Sequence, residues 1–340
     1  MATREQQVYR LPPRLHNARG EMRRVGLEVE LGGLSLERTL EVMQGVLGGT
    51  VELESRTMGR VVDTPYGPFK VEFDHSALQR RSYLRPLERI GLLDRDDDEA
   101  KQRIEDSVLR IASEIVPIEV VSPPVRCDEL QGLDELWQAL REAGAQDTYD
   151  SPLFAFGLHL NPEVPAPDVE TVLAFTRAYL LLEEWLGSVS HVALARRISP
   201  FVRSFPEAYR RAVLQPDYAP TAAQFVDLYL THSPTRNRSL DLLPLLVHLY
   251  GRELLTRVED AASVKGRPTF HYRLPNCEIA APGWTPAVDW NRWLAVERLA
   301  NDEGLLTLLA SRYLETQAVS LWSQRVDWSE QLRERLDLPA

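Results

Sequence analysis

Four short segments of the chain alternate apolar and polar side chains with a period of two residues. They span residues 25–31, 71–74, 156–161 and 270–274. Successive side chains of a β-strand point to opposite faces, so each segment is predicted to be a strand with one apolar and one polar face. The polar positions of the four segments are Glu28, Glu30, Glu72, Asp74, His159, Asn161, His271 and Arg273. If the strands join one sheet, these side chains converge on a single surface.

The same alternation is typical of an antiparallel sheet with one solvated face, so it does not require a function. The composition of the polar faces favours a site. Glu28 and Glu30, and likewise Glu72 and Asp74, place two carboxylates on one face two residues apart, where they repel each other. A divalent cation between carboxylates relieves this repulsion, and hard cations prefer oxygen ligands. The pattern therefore predicts a metal-dependent enzyme.

The remaining pattern mixes strands with helices and becomes mostly helical in the second half. Further strands are predicted over residues 50–54, 60–63 and 117–124, and residues 269–274 form the only strand expected after residue 161. Apolar residues at helical spacing predict helices over residues 34–47, 98–116, 133–143, 169–188, 206–214, 221–231, 240–255 and 288–321, the last in two pieces. This order indicates an α+β fold with a largely antiparallel sheet.

The domain prediction follows from the late strand. Residues 1–23 are polar and contain Pro12 and Pro13, which predicts an arm that leads into the first strand. The strand at residues 269–274 has to rejoin the early strands to complete the polar surface. Residues 24–340 are therefore predicted to form one catalytic domain with a helix-rich C-terminal half.

Composition narrows the class of protein. The 340 residues are 44% hydrophobic and 26% charged, as in globular proteins, and the net charge of −11 argues against binding to nucleic acid or anionic membranes. No segment approaches the roughly 20 apolar residues of a membrane span, and the N-terminus has no signal-peptide pattern. Cys127 and Cys277 lie in no Cys-x-x-Cys motif, so we expect two buried thiols in a cytoplasmic protein, with a single disulfide as the alternative.

Four motifs resemble those of the amidoligase family, relatives of glutamine synthetase and glutamate–cysteine ligase. Residues 24–30 resemble the first-strand signature, and residues 118–123 resemble the Glu-Leu-Val-Ser-Pro motif. Residues 156–161 resemble the Gly-x-His-x-His/Asn strand, and residues 272–276 resemble the terminal strand with its arginine. The motifs occur in the family's order. The stretch from Thr235 to Leu246 also resembles the family's arginine-rich helical segment.

The resemblance implies a glutamine-synthetase-like fold, in which a curved, mostly antiparallel sheet forms a half-barrel backed by helices. It implies an ATP-dependent ligase that joins a carboxylate to an amine with two or three Mg²⁺ or Mn²⁺ ions. Carried over by position, the metal ligands are Glu28, Glu30, Glu72, Asp74 and His159. Arg273 would neutralise the transferring phosphoryl group and Glu119 would contact the substrate or the amine. The residues matched to nucleotide binding are Arg236, Arg238 and Asn276.

One position departs from the family pattern. The family has a glutamate two residues before the terminal-strand arginine, and this chain has His271 there. Imidazole binds Mn²⁺ or Zn²⁺ but is a poorer ligand for Mg²⁺. Four explanations stay open: the site is shifted, Glu278 replaces the missing metal ligand, the metal preference differs, or ligase activity has been lost.

The chemistry that the resemblance implies suits these residue types. A carboxylate is a poor electrophile, but phosphorylation by ATP converts it into an acyl phosphate that an amine can attack. Phosphoryl transfer requires positioning and charge neutralisation rather than a protein nucleophile. Two alternatives are another metal-dependent phosphotransferase and a degenerate family member that acts as a nucleotide-binding or scaffold protein. The acid, the amine and the oligomeric state are not indicated by any motif.

Overall fold

The computed structural model describes residues 8–73, 117–150, 156–190, 192, 202–259, 261–319, 328–336 and 338. All of its strands belong to one sheet with the order β2-β3-β4-β5-β1-β7-β9-β8, and β6 pairs with β1 beside β5. The strands are β1 (Arg24–Leu31), β2 (Thr50–Ser55), β3 (Met58–Val62), β4 (Phe69–Phe73), β5 (Ile118–Val121), β6 (Val125–Arg126), β7 (Leu158–Pro162), β8 (Leu240–Asp241) and β9 (His271–Tyr272). Neighbouring strands in this order run antiparallel.

The sheet is open and curved, and helices back it, so the predicted α+β class with a mostly antiparallel sheet is confirmed. The helices are α1 (Leu36–Leu47), α2 (Asp134–Glu142), α3 (Val169–Val189), α4 (Glu207–Val213), α5 (Ala222–His232), α6 (Leu243–Tyr250), α7 (Ala287–Ala300), α8 (Glu303–Val319) and α9 (Trp328–Leu336). Helix α1 packs on β2, β3 and β4, and α3 packs on α7, α8 and α9. Asp168 begins α3 as its N-cap, accepting a hydrogen bond from the Thr171 amide at 2.7 Å.

All four alternating segments join this sheet, as predicted. Strand β1 lies at its centre, and its apolar face, formed by Val25, Leu27, Val29 and Leu31, is completely buried. The late strand β9 rejoins the early strands because Tyr272 pairs with Leu160 of β7. The polar sides of β1, β4, β7 and β9 are thereby brought onto one sheet.

Strands β2, β3 and β4 form consecutive antiparallel pairs, and one glycine lets the chain enter them directly from α1. Strands β2 and β3 pair from Thr50 with Val62 to Ser55 with Met58, and the chain then returns into β4. Gly49 has a φ of +80°, and a Cβ atom there would lie 2.1 Å from the Val62 carbonyl oxygen. Only glycine therefore allows α1 to lead directly into β2.

The helical structure predicted over residues 235–255 forms only in part. Residues 235–239 are not helical; Arg238 instead forms a parallel bridge with Arg203. The predicted helix over residues 240–255 is divided into β8, α6 and a 3-10 helix, Arg252–Arg257. Strand β8 forms because Leu240 pairs with Tyr272, while Pro244 sits in the first turn of α6 and Gly251, with a φ of +96°, ends that helix. Among the described residues that follow β7, the chain thus forms two strands rather than one.

Three further predictions concern Asp74 and the helix that follows it, the two cysteines, and membrane-spanning segments. Asp74 and the helix predicted over residues 98–116 lie outside the described residues. Cys127 and Cys277 are buried free thiols, as expected. Within the described ranges, no helix has the length and apolar character needed to cross a membrane.

Candidate active site

The strand register aligns the carboxylates of three neighbouring strands. Glu72 of β4 lies opposite Glu119 of β5, and Glu119 lies opposite Glu30 of β1. On the other side of β1, Glu28 lies opposite His159 of β7. Because side chains opposite each other in antiparallel strands are close neighbours, this register alone gathers acidic groups and an imidazole at the centre of the sheet.

The first cluster of potential metal ligands consists of Glu30, Glu119 and His159, whose donor atoms lie within 4.8 Å of one another. His159 Nε2 is 3.8 Å from Glu30 Oε1, and His159 Nδ1 is 3.8 Å from Glu119 Oε1. The other oxygen of Glu30 accepts a hydrogen bond from the Gly157 amide at 2.6 Å. That bond fixes the carboxylate and leaves Oε1 directed to the cluster.

The second cluster consists of Glu28, His159 and His271, and all three side chains are buried. Glu28 Oε2 is 3.1 Å from His159 Nδ1 and 3.6 Å from His271 Nε2. Burial opposes the ionisation of Glu28, but its contacts with His159, His271 and Arg267 outweigh burial and hold its pKa well below the ordinary value. Burial also lowers the pKa of His271 to about 3, so the ring is neutral and able to bind a metal ion.

Two residues of this site were not predicted from the sequence. Asp241 of β8 lies opposite His271, and its Oδ2 is 3.9 Å from His271 Nδ1. Burial raises the pKa of Asp241 to about 6, although Arg273 and Arg236 act in the opposite direction. Arg267 donates a hydrogen bond from Nη1 to Glu28 Oε1 at 2.6 Å. The sequence prediction missed Asp241 because it lies in a segment whose apolar residues have helical spacing. It missed Arg267 because that residue lies in a stretch without any periodic pattern of apolar residues.

Arginine side chains border the clusters. Arg273 is buried next to the polar face of β9, and its Nη1 donates to the Arg236 carbonyl oxygen at 3.1 Å. Burial and the nearby Arg273 lower the pKa of Arg236. Two guanidinium groups close together repel each other, and the carboxylates of Asp241, Glu28 and Glu119 offset that repulsion. An anionic ligand would offset it further.

Besides the bordering Arg236 and Arg273, the structure places four described site residues predicted from the sequence outside both clusters. Glu72 lies opposite Glu119 in the sheet, but its carboxylate forms an ion pair with Lys70. Arg238 donates to Ser233 Oγ and to the carbonyl oxygens of Ser204 and His232. Its guanidinium therefore makes structural hydrogen bonds within the mostly helical second half of the chain. Asn276 donates to the Tyr149 hydroxyl at 3.0 Å and to the Ser190 carbonyl at 3.1 Å.

Glu278 is the fourth, and the charged groups that act on it are Asp289, Arg292 and Asp147. Neither cluster of potential metal ligands found among the described residues includes Glu278. Burial, followed by the charge of Asp289, raises the pKa of Glu278 to about 7. The carboxyl is therefore partly protonated at neutral pH.

We expect Glu278→Gln to stabilise the protein at pH 8 and to leave its stability unchanged at pH 4. The native state retains the Glu278 proton up to about pH 7, while the unfolded state releases it near the ordinary value of 4.5. The free energy of unfolding therefore falls as pH rises between these two values. The gain at pH 8 is expected to be about 1–2 kcal/mol, since solvent screens a half-buried group. Urea unfolding at both pH values measures it, with exposed Glu315→Gln as the control; equal effects at the two pH values would contradict the assignment.

Comparison with known proteins places both clusters within one family match. A family model described as "Putative amidoligase enzyme" matches residues 21–295, from just before β1 into α7, and includes every residue of both clusters. No curated protein and no solved structure matches the chain significantly. Because the family model covers most of the 340 residues, the chain belongs to the amidoligase family.

Proposed function

We propose that this protein is an ATP-dependent ligase that joins a carboxylate to an amine through an acyl-phosphate intermediate. The observation that carries the proposal is the pair of ligand clusters that share His159 beside the Arg273–Arg236 pair. The proposal includes a glutamine-synthetase-like half-barrel and a single catalytic domain over residues 24–340. The family name supports a ligase that acts on an acid and an amine.

The donor atoms of the clusters fit divalent cations. Glu30 and Glu119 supply carboxylate oxygens, and His159 supplies a nitrogen, which suits Mg²⁺ or Mn²⁺. The second cluster contains a buried atom, His271 Nε2, that has no hydrogen-bond partner among the described residues. Buried polar atoms without partners are rare, and a ligand that binds them is one explanation. A cation held by these residues would supply Lewis acidity for phosphoryl transfer.

The chain's own residues would orient and neutralise the transferring phosphoryl group. In the first step an oxygen of the acid attacks the γ-phosphorus of ATP, the bond to the β-phosphate oxygen breaks, and ADP leaves. Arg273 presents a permanently charged, planar donor to the phosphoryl oxygens, and Arg236 adds a second charge beside it. Arg267 would hold Glu28 in position through its hydrogen bond at 2.6 Å.

In the second step the amine nitrogen attacks the acyl carbon and inorganic phosphate leaves. The attacking amine has to lose a proton. Glu119, a member of the first cluster, is our candidate base because it lies on the strand between Glu30 and Glu72. The partly protonated Glu278 does not belong to this cluster, so we assign it no part in the step.

Thermal unfolding with and without ligands tests the proposal. We expect a non-hydrolysable ATP analogue and Mn²⁺ together to raise Tm by more than the sum of their separate effects, because each ligand binds the native state and each assists the other. Glu30→Gln should abolish this joint effect, since it removes a charged ligand and keeps an acceptor for the Gly157 amide. Exposed Glu52→Gln on β2 is the matched control.

Release of ADP then distinguishes the alternatives. ADP formation that requires both an acid and an amine supports the ligase. ADP formation without an amine supports a phosphotransferase. The absence of any joint stabilisation by metal and nucleotide would overturn the proposed site and leave a scaffold protein as the better explanation.

A further inference from the structure

The two ligand clusters differ in the atoms that they offer. Glu30, Glu119 and His159 provide two carboxylate oxygens and one imidazole nitrogen, whereas Glu28, His159 and His271 provide one oxygen and two nitrogens. Carboxylate suits Mg²⁺, Ca²⁺ and Mn²⁺, and imidazole suits transition metals such as Zn²⁺ and Fe²⁺. The second cluster therefore has the composition of a transition-metal site rather than of a Mg²⁺ site.

The spacing of the atoms in the second cluster is close to that of a coordination shell. Ligand atoms at about 2.1 Å from one ion are about 3.0–3.4 Å apart in octahedral or tetrahedral geometry. Glu28 Oε2 lies 3.1 Å from His159 Nδ1 and 3.6 Å from His271 Nε2. All three donor atoms lie within 4.8 Å of one another, so their arrangement is already near that of a single coordination site.

Neighbouring residues already hold the Glu28 ligand in this orientation. Its Oε1 accepts hydrogen bonds from Arg267 at 2.6 Å and from Asn161 at 3.1 Å. These bonds leave Oε2 as the oxygen that faces both imidazoles. Outer contacts of this kind orient metal ligands and are part of a functional metal site.

The second ring nitrogen of His271 has a buried acceptor beside it. Asp241 Oδ2 lies 3.9 Å from His271 Nδ1 and, like His271 Nε2, has no hydrogen-bond partner among the described residues. A metal ion on Nε2 would require the ring proton to be on Nδ1, where it faces Asp241. A single ion would thereby give Nε2 a partner and direct the ring N–H towards Asp241 Oδ2.

We propose that Glu28, His159 and His271 form a transition-metal centre that binds Mn²⁺ and its heavier neighbours in preference to Mg²⁺, and that His271 sets this preference. The inference deepens the proposed function and rests on it for the role of the ion in phosphoryl transfer. The preference itself is a property of the protein and the metal alone. It can therefore be measured without nucleotide, acid or amine.

Competition between Mn²⁺ and Mg²⁺ for the metal-free protein tests the proposal. Free Mn²⁺ is measured by electron paramagnetic resonance, and Mg²⁺ is added as the competitor. We expect His271→Glu to lower the Mn²⁺-over-Mg²⁺ preference by about tenfold or more, because an oxygen ligand replaces a nitrogen. Pulsed measurements on bound Mn²⁺ should detect one imidazole nitrogen fewer in the variant. Exposed His248→Glu is the matched control and should change neither result.

The outcomes separate this inference from the proposed function. An unchanged metal preference in a His271→Glu variant with normal Tm, or the same nitrogen couplings in both proteins, would overturn the inference even if the protein releases ADP as a ligase. If the preference shifts as expected but no acid and amine produce ADP, the metal centre stands and the ligase proposal fails. Should His271→Glu not fold, His271→Gln provides the same comparison, with a loss of Mn²⁺ affinity of about tenfold expected.

Discussion

Replacing Glu297 with alanine is expected to lower the free energy of unfolding by about 3–5 kcal/mol, because the substitution leaves a buried guanidinium unpaired. Glu297 of α7 forms two hydrogen bonds with Arg23, at 2.7 and 2.8 Å, and both side chains are completely buried. Trp293 donates a third bond to the same carboxylate. Arg23 immediately precedes β1 and Glu297 lies on α7. The pair therefore connects the strand that carries Glu28 and Glu30 to that helix. Denaturant unfolding measures the effect.

An exposed ion pair provides the control for this prediction. Arg257 and Asp227 are 2.8 Å apart, with side chains 46% and 70% exposed. Asp227→Ala is expected to cost less than about 1 kcal/mol, since exposed pairs gain little in water. A loss of similar size in both variants would show that burial of the Arg23–Glu297 pair does not determine its contribution.

Replacing Arg273 with lysine is expected to lower kcat for ADP formation by about 10²–10³-fold, with a smaller change in KM. Lysine keeps the positive charge but lacks the planar set of donors that fits phosphoryl oxygens. It also loses the geometry that lets Arg273 contact the Arg236 carbonyl. The measurement is ADP release at saturating ATP, with the acid and amine that give the highest rate.

The matched control for this substitution is Arg211→Lys. Arg211 is an exposed residue of α4 that pairs with Glu207, and we expect kcat to be unchanged. If Arg273→Lys raised KM and left kcat intact, Arg273 would be a ground-state binding residue rather than a group that stabilises the transition state.

Much of the sheet could be predicted because strand alternation is a local property. The period of two in β1 places Glu28 and Glu30 on the face opposite Val25, Leu27 and Val29, and the structure has the same arrangement. The prediction even found β9, a strand of two residues, because His271 and Arg273 flank an apolar tyrosine. The prediction failed where local signals conflicted: residues 240–255 have helical spacing, but pairing with β9 makes Leu240 and Asp241 a strand.

The composition of the site could be predicted only in part. His159 and Glu28 were expected on one surface, and they form a direct contact at 3.1 Å. Arg267 could not be connected with Glu28, since 239 residues separate them. Asp241 likewise becomes a neighbour of His271 only through the pairing of β8 with β9. No short-range pattern indicates such a contact, because it depends on the order of strands.

The sequence by itself determined which side chains share a face of each strand, since the pleat of the backbone alternates them without reference to the rest of the chain. It also contained the motifs that identify the family. Only the tertiary structure decided which faces meet. Placing β5 between β4 and β1 made Glu119 the neighbour of Glu30, and placing β9 beside β7 brought His271 to Glu28. Strand order is set by burial of the whole apolar face and by closure of long loops, which are properties of the complete chain.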